Sequence, residues 1–197
     1  LHRNKRGITL NLKTPEGLSL FMRLVETADI VVENFRSDVK DRLGIDYHAL
    51  AAVNPGIILA SISGFGQEGP YAKRAGFDQI AQGMGGLMMV TGEPGKGPMR
   101  AGTAVADTSS GLNAALGILV ALAERERSGK GQWVHTSLLE SQIALMDFQA
   151  ARYLVEGEVP PQAGNDHPYV TPMGVIATQD GYLNLGVGAE SQWISFC

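Results

Sequence analysis

Ile57-Ile-Leu-Ala-Ser-Ile62 runs directly into Ser63-Gly64-Phe65-Gly66. A short, β-branched, almost wholly apolar run closed by glycines reads as a buried strand. Asn54-Pro55 ends the segment before it, because the residue preceding a proline avoids helical geometry. That earlier segment, Tyr47 to Val53, reads as a helix, as does Asp38 to Leu43. Further upstream, Ile30-Val-Val-Glu33 is a second short buried strand, delivering Asn34-Phe35-Arg36 at its carboxyl end. Thr14-Pro15-Glu16 combines an N-cap, a first-turn proline and an acidic residue, a strong helix start. Leu18, Phe21, Leu24, Val25 and Ala28 follow at helical spacing and form one apolar face. Gly7-Ile-Thr-Leu-Asn-Leu12 alternates like a half-buried strand.

Strands alternating with helices are the signature of a parallel sheet covered by helices. The expected fold class is therefore α/β: an open, mostly parallel Rossmann-like sheet with helices on both faces. In such sheets ligands bind beyond the carboxyl ends of the strands. Asn34-Phe35-Arg36 and Ser63-Gly64-Phe65-Gly66 both fall there.

Downstream, Gly76 to Val90 reads as a helix loosened by Gly83, Gly85 and Gly86, followed by a turn-rich loop, Gly92 to Pro98. A long helix starts near Asp107, runs to about Arg127 and ends at Ser128-Gly129. Gln132 to Thr136 is a further strand, and Ser137-Leu-Leu-Glu140 is a capping box opening a helix that carries Ile143, Ala144, Phe148 and Tyr153. Gly157 to Asp166 has linker composition. Gly174-Val-Ile-Ala-Thr178 and Tyr182-Leu-Asn-Leu185 flank Gln179-Asp180-Gly181 as a hairpin. This change of rhythm marks the start of a small second domain. The expected division is residues 1–138 as a large α/β domain, 139–165 as helix and linker, and 166–197 as the start of the second domain.

At 197 residues with 44% hydrophobic and 18% charged content, the chain has the composition of an ordinary globular protein. A net charge of −4 provides no general attraction to nucleic acid or to an anionic membrane. The single cysteine, Cys197, excludes an internal disulfide and fits a reducing compartment, so a cytoplasmic location is expected. The uncharged run Leu112 to Ala123 is too short to cross a bilayer and reads as a buried core helix. The chain starts at Leu1 and stops within an apolar pattern, so both ends read as cut. His2, His48, His135 and His167 lack metal-ligand spacing, and no metal is expected. Gly64-Phe-Gly66-Gln-Glu-Gly69 matches G-x-G-x-x-G, but Pro70 follows where a dinucleotide site needs a helix.

One carboxylate stands out. Asp107 lies among the small residues Ala104, Ala106, Ser109 and Gly111, where the long helix begins. Small neighbours admit a bulky ligand, and unpaired N–H groups at a helix start favour an anion. The plain alternative is a first-turn aspartate that only stabilises its helix. Asp78, after Gly76-Phe77, is a second acidic residue, and its plain reading is an aspartate at the start of its own helix.

The chain resembles the class III CoA-transferases, the family of formyl-CoA transferase and carnitine CoA-transferase. The matching segments are Asn4 to Lys13, Ala28 to Arg36, Leu59 to Gly66, Gly69-Pro70-Tyr71, Asp107-Thr-Ser-Ser-Gly111 and Gly129-Lys-Gly-Gln132, in the family's order. By this resemblance Asp107 is the catalytic aspartate of a CoA transfer from an acyl-CoA donor to a small carboxylic acid through an aspartyl-CoA thioester. Coenzyme A would be substrate, with no tightly bound cofactor. Its contacts carry over to Leu10, Lys13, Asn34, Phe35, Arg36 and Arg42; Phe35 is assigned to the adenine, and Arg36 and Arg42 to phosphates. Lys73 and Arg74 align poorly and are set aside. The resemblance also implies about half of a usual family member, and for the parent protein an interlocked homodimer.

Two departures matter. Formyl-CoA transferase closes a glycine-rich loop over its aspartate, whereas Asn165-Asp-His-Pro-Tyr-Val-Thr-Pro172 has no glycine run. Formyl or oxalyl specificity does not carry over. The related α-methylacyl-CoA racemases have a proton-transferring histidine where this chain has Phe77, and phenylalanine exchanges no proton. A racemase-like isomerase and a non-catalytic CoA-binding remnant are the alternatives. Tyr71, Met84, Met88, Met89, Tyr169 and Met173 could line an acyl pocket, although such residues are commonly core. Donor and acceptor acids are not specified.

Overall fold

The computed structural model describes residues 3–197; Leu1 and His2 lie outside the described residues. Its centre is a parallel three-stranded sheet, β1 (Ile30–Glu33), β2 (Ile58–Ser63) and β3 (Trp133–Ser137), in the order β1-β2-β3. Ile30 pairs with Ile58 and Ser63 with Ser137, so all three carboxyl ends emerge on one edge. Ile58, Leu59 and Ala60 are fully buried, as the two-sided apolar run implies.

Helices cover both faces. On one, α1 (Pro15–Val25) and α3 (Tyr47–Val53) pack a core of Val25, Ile45, Leu50, Ile57 and Leu59. Both helices start as their sequences dictate. Thr14 Oγ1 accepts from Gly17 N at 3.2 Å, and Asp46 Oδ1 accepts from His48 N at 2.9 Å and Ala49 N at 3.2 Å. The short α2 (Ser37–Leu43) links β1 to this layer. On the other face lie α4 (Asp78–Met84) and the long α6 (Val105–Ser128), where Ile62 meets Ala81, Ala106 and Leu138.

Several expectations are corrected. Gly7 to Leu12 forms no strand: the segment is irregular and largely exposed. Alternation prepares a face, but a strand exists only by pairing, and the described sheet ends at β1. The Gly76–Val90 helix is two helices, α4 and α5 (Leu87–Val90), separated at Gly85-Gly86. Gly86 has φ +88°, and a Cβ at Gly85 would overlap Gln142 Oε1, so a close approach of the segment bearing Gln142 requires the break. The helix after β3 also divides, into α7 (Leu138–Ala144) and α8 (Asp147–Glu156), without glycine or proline to announce it.

The helix α6 is not a fully buried core helix. Its 24 residues are long and apolar enough to cross a membrane by length and composition. Ala106, Ser109, Ser110, Ala114 and Ala121 face the sheet and α7. Leu112, Leu116, Leu119 and Val120 form the opposite stripe and are 62–68% exposed. The hairpin appears as expected, β4 (Met173–Ala177) against β5 (Tyr182–Gly186), and α9 (Glu190–Phe196) follows it.

Candidate active site

A cavity of about 330 Å³ opens at the carboxyl edge of the sheet. The end of β1 contributes Asn34, Phe35 and Arg36, and the end of β2 contributes Ser63 and Gly64. Gly76, Phe77 and Asp78 enter at the start of α4, and Asp107 from the first turn of α6. With Leu138, five separate segments thus meet where an open α/β sheet binds its ligand.

The close fit of these loops has a specific cause. Gly64 and Gly76 cross backbone to backbone, and a Cβ on either would overlap the other chain segment. Leu139 N donates to Gly64 O at 3.2 Å, which ties the floor to α7. Asn34 Nδ2 donates to Ile62 O at 2.7 Å, bracing the end of β1 against β2. Glu33, buried at the strand end, accepts from Phe35 N at 2.7 Å. Phe35 and Arg36 are thereby held outward, both exposed at the cavity wall.

Asp107 is exposed at this cavity, while Ala106 and Ser109 beside it are buried. Gly111, by contrast, borders open space, so its small size answers no contact among the described residues. The expected free helix start is also absent. Val105 N donates to Thr103 O at 3.0 Å and Thr108 N to Ala104 O at 3.0 Å. The two amides between them, Ala106 N at 2.8 Å and Asp107 N at 3.4 Å, both reach Asp78 Oδ1. Asp78 therefore caps α6 from another helix, occupying the donors that were expected to favour the Asp107 anion. The Asp107 pKa is raised, first through partial desolvation and then through the negative charge of Asp78.

The cations divide. Arg36 lies 3.7 Å from Asp38. Arg74, set aside on sequence, lines the Asp107 cavity, its guanidinium 4.3 Å from the Tyr71 ring centroid. The only hint of it in the sequence is a basic pair in the loop between a strand end and the Gly76-Phe77-Asp78 turn.

The remaining candidates are not brought together with this group. Arg42 is 3.3 Å from Asp38 and borders a separate cavity of about 520 Å³ with Lys40, His48 and Lys73. Leu10 borders a third cavity with Ile8, Leu20 and Leu24. Lys13 is exposed, its backbone N donating to Asn11 Oδ1 at 3.1 Å. No residue of Asn165–Pro172 is among the described lining of the Asp107 cavity. In that loop His167 Nδ1 accepts from Tyr169 N at 3.2 Å and Val170 N at 3.1 Å, and Phe148 stacks on its ring. Met84 and Met89 line a distinct apolar cavity with Ile143, Met146 and Tyr153. Phe77, 70% exposed, forms part of the wall of the Asp107 cavity, and its side chain exchanges no proton.

The arrangement presents a carboxylate of raised proton affinity, reachable from solvent, beside two arginines and the ends of two strands. Such a group can act as a nucleophile toward an anionic acyl compound. The model of CoA-transferase family III matches residues 1–197. The succinate–glutarate CoA-transferase of Agrobacterium fabrum is 47% identical over all of this chain and 49% of its own length. The succinyl-CoA–D-citramalate CoA-transferase of Chloroflexus aurantiacus is 42% identical over 97% of this chain and 48% of its own. A crystal structure of a CAIB/BAIF family protein from Brucella suis superposes with a TM-score of 0.88 at 43% identity, covering 98% of this chain and 51% of that one. The chain spans about half the length of the curated relatives it matches.

Proposed function

The chain belongs to CoA-transferase family III, and on that premise we propose that it carries the nucleophile and part of the coenzyme site of an enzyme moving CoA from an acyl-CoA to a carboxylic acid. The observation that carries this reading is the position of Asp107 in the cavity beside Asn34, Phe35 and Arg36. The Asp107 carboxylate attacks the thioester carbonyl, and collapse of the adduct expels CoA thiolate, leaving a mixed anhydride. The thiolate then attacks the Asp107 carbonyl of that anhydride and releases the donor acid, which leaves an aspartyl-CoA thioester. The acceptor carboxylate attacks this thioester, CoA thiolate departs, and the thiolate attacks the new acyl carbonyl. The products are a new acyl-CoA and the free Asp107 carboxylate. No net proton is taken up, and each exchange is split into easier steps.

Asn34, Phe35 and Arg36 are assigned to coenzyme A, and Arg74 joins them. Leu10, Lys13 and Arg42 remain in the proposal as outer contacts, since a ligand as long as CoA extends beyond a cavity of about 330 Å³. The relatives named for succinate and glutarate make succinyl-CoA and a dicarboxylic acceptor the first substrates to try. A cytoplasmic homodimer belongs to the same proposal, as does the division into a large CoA-binding domain over residues 1–138 and a small domain beginning at 166. The test is to incubate the full protein carrying these residues with succinyl-CoA and hydroxylamine, then weigh the Asp107 peptide. A hydroxamate on Asp107 is expected. An unmodified peptide in a protein that still binds CoA would sink the covalent route and favour a binding remnant.

A further inference from the structure

Asp78 stands between two helices and is absorbed by neither. It is the first residue of α4, nearly buried, yet Oδ1 accepts from Ala106 N and Asp107 N at the start of α6. Its Oδ2 accepts from Gln82 Nε2 at 2.6 Å and lies 3.8 Å from Arg100. Gln82 is fully buried; its Nε2 also donates to Thr103 O at 3.2 Å, and its Oε1 accepts from Ala101 N at 2.9 Å. The segment leading into α6 is therefore held at Ala101, Thr103, Ala106 and Asp107 by two side chains of α4, one turn apart.

A first-turn acid needed only for its own helix would not require this arrangement, since an exposed side chain serves equally well. A buried carboxylate reaching across to another helix fixes the backbone of the residue that bears the nucleophile. We propose that Asp78 is a positioning residue for Asp107, acting on the nucleophilic carboxylate through the α6 backbone that it holds and through its own charge. The inference rests on the reading of Asp107 as nucleophile.

The charged groups around this pair are few. Arg36 and Arg74 line the cavity wall, and Arg100 approaches the far oxygen of Asp78. Glu140 of α7 is bonded to Ser137 Oγ at 2.7 Å. On β3, His135 lies on the face opposite Val134, and Val134 is the residue that meets Gly117 of α6. Among the described residues, Asp78 is the neighbour whose charge raises the Asp107 pKa. A nucleophile of higher proton affinity is the stronger one once ionised, and a shift of about 1 Å in a reacting group costs on the order of 10²-fold in rate.

The experiment uses the full protein carrying these residues, with Asp78→Asn, Asp78→Glu and Asp78→Ala. In Asp78→Asn an oxygen still accepts from Ala106 N, but the charge is gone. Its kcat is expected to fall about 10- to 100-fold with little change in KM for succinyl-CoA. The acid limb of its pH–rate profile moves to lower pH, and the Asp107 carboxyl followed by 13C NMR titrates lower in step. Asp78→Glu, which keeps the charge on a longer arm, restores the limb while kcat stays reduced. Asp78→Ala lowers the melting temperature, which measures the purely structural share. An unmoved acid limb and unmoved Asp107 titration in Asp78→Asn would overturn the proposal. So would rate losses in all three that follow only the fraction unfolded. Transfer surviving in Asp107→Asn would instead sink the underlying reading of the nucleophile.

Discussion

The two ends of the same three strands are built for opposite purposes. At the amino edge, polar groups are engaged with one another. Asn54 Nδ2 donates to Val25 O at 3.0 Å and Ala28 O at 2.9 Å, and its Oδ1 accepts from Gly56 N at 3.0 Å. Arg125, near the far end of α6, donates to Gly56 O at 3.0 Å and to Asp29 Oδ1 at 2.9 Å. Tyr47 Oη donates to Gly131 O at 2.7 Å, and Gly131 N to Pro55 O at 2.8 Å. At the carboxyl edge, Arg36, Arg74, Phe77 and Asp107 are exposed around a cavity. Hydrogen bonds there, such as Asn34 to Ile62 and Asp78 to α6, hold the backbone and leave these side chains outward. The difference teaches how one sheet separates stability from chemistry: polar side chains that close on the protein hold it together, and those left open are available to a ligand.

The contrast breaks or stands on substitutions at each edge. Asp107→Asn should produce the largest effect, a loss of transfer of about 10³-fold or more, because a carboxamide cannot form the anhydride. Steady-state rates with succinyl-CoA and glutarate check this, alongside a melting curve showing a folded protein. Asn54→Ala removes three hydrogen bonds to backbone groups at the other edge and should lower stability by about 2 kcal/mol. Its kcat, measured where the protein is folded, should stay at the parent value. A large loss of kcat in folded Asn54→Ala would mean that the two edges are not separable. Arg36→Ala is expected to raise KM for acyl-CoA about tenfold, the loss of roughly one charge-assisted hydrogen bond, with little change in melting temperature. A stability loss without a KM change would move Arg36 to the structural side.

Much of this division was legible in the sequence. The β2 run and its closing glycines, Thr14-Pro15 and the Ser137 N-cap report local rules, and local rules act on the residues that carry them. That Asn34-Phe35-Arg36 and Ser63-Gly64 would lie at one edge followed from strand polarity alone. What escaped depends on partners remote in the chain. Gly7–Leu12 has the alternation of a strand but no neighbouring strand among the described residues. The break at Gly85-Gly86 depends on Gln142, and the open stripe of α6 depends on what packs against it. The Asp107 environment depends on a remote partner in the same way. A helix start predicts free amides, and only the fold shows Asp78 already bonded to two of them. Arg74 could be found only once the loop bearing it was seen to return to the cavity.

The smallest expected effect concerns stability, and its sign tests the electrostatics of Asp107. Partial desolvation, then the charge of Asp78, hold the folded-state pKa of Asp107 above that of an ordinary aspartate. The folded protein therefore binds this proton more tightly than the unfolded chain does. Between the ordinary value and the raised one, stability contributed by this group increases as pH falls, because the native state holds more protons there. Above the raised value both states are ionised, and the charge is a net cost to the fold. Asp107→Asn should consequently melt slightly above the parent protein at pH 7, and the gap should narrow as pH is lowered through the raised pKa. Below the ordinary aspartate range both states are protonated and the difference should be least. Paired melting curves across this pH range decide it. A variant less stable at pH 7, with a deficit that shrinks in acid, would show instead that the start of α6 favours the Asp107 anion, and Asp78 could not then be the dominant charge beside it.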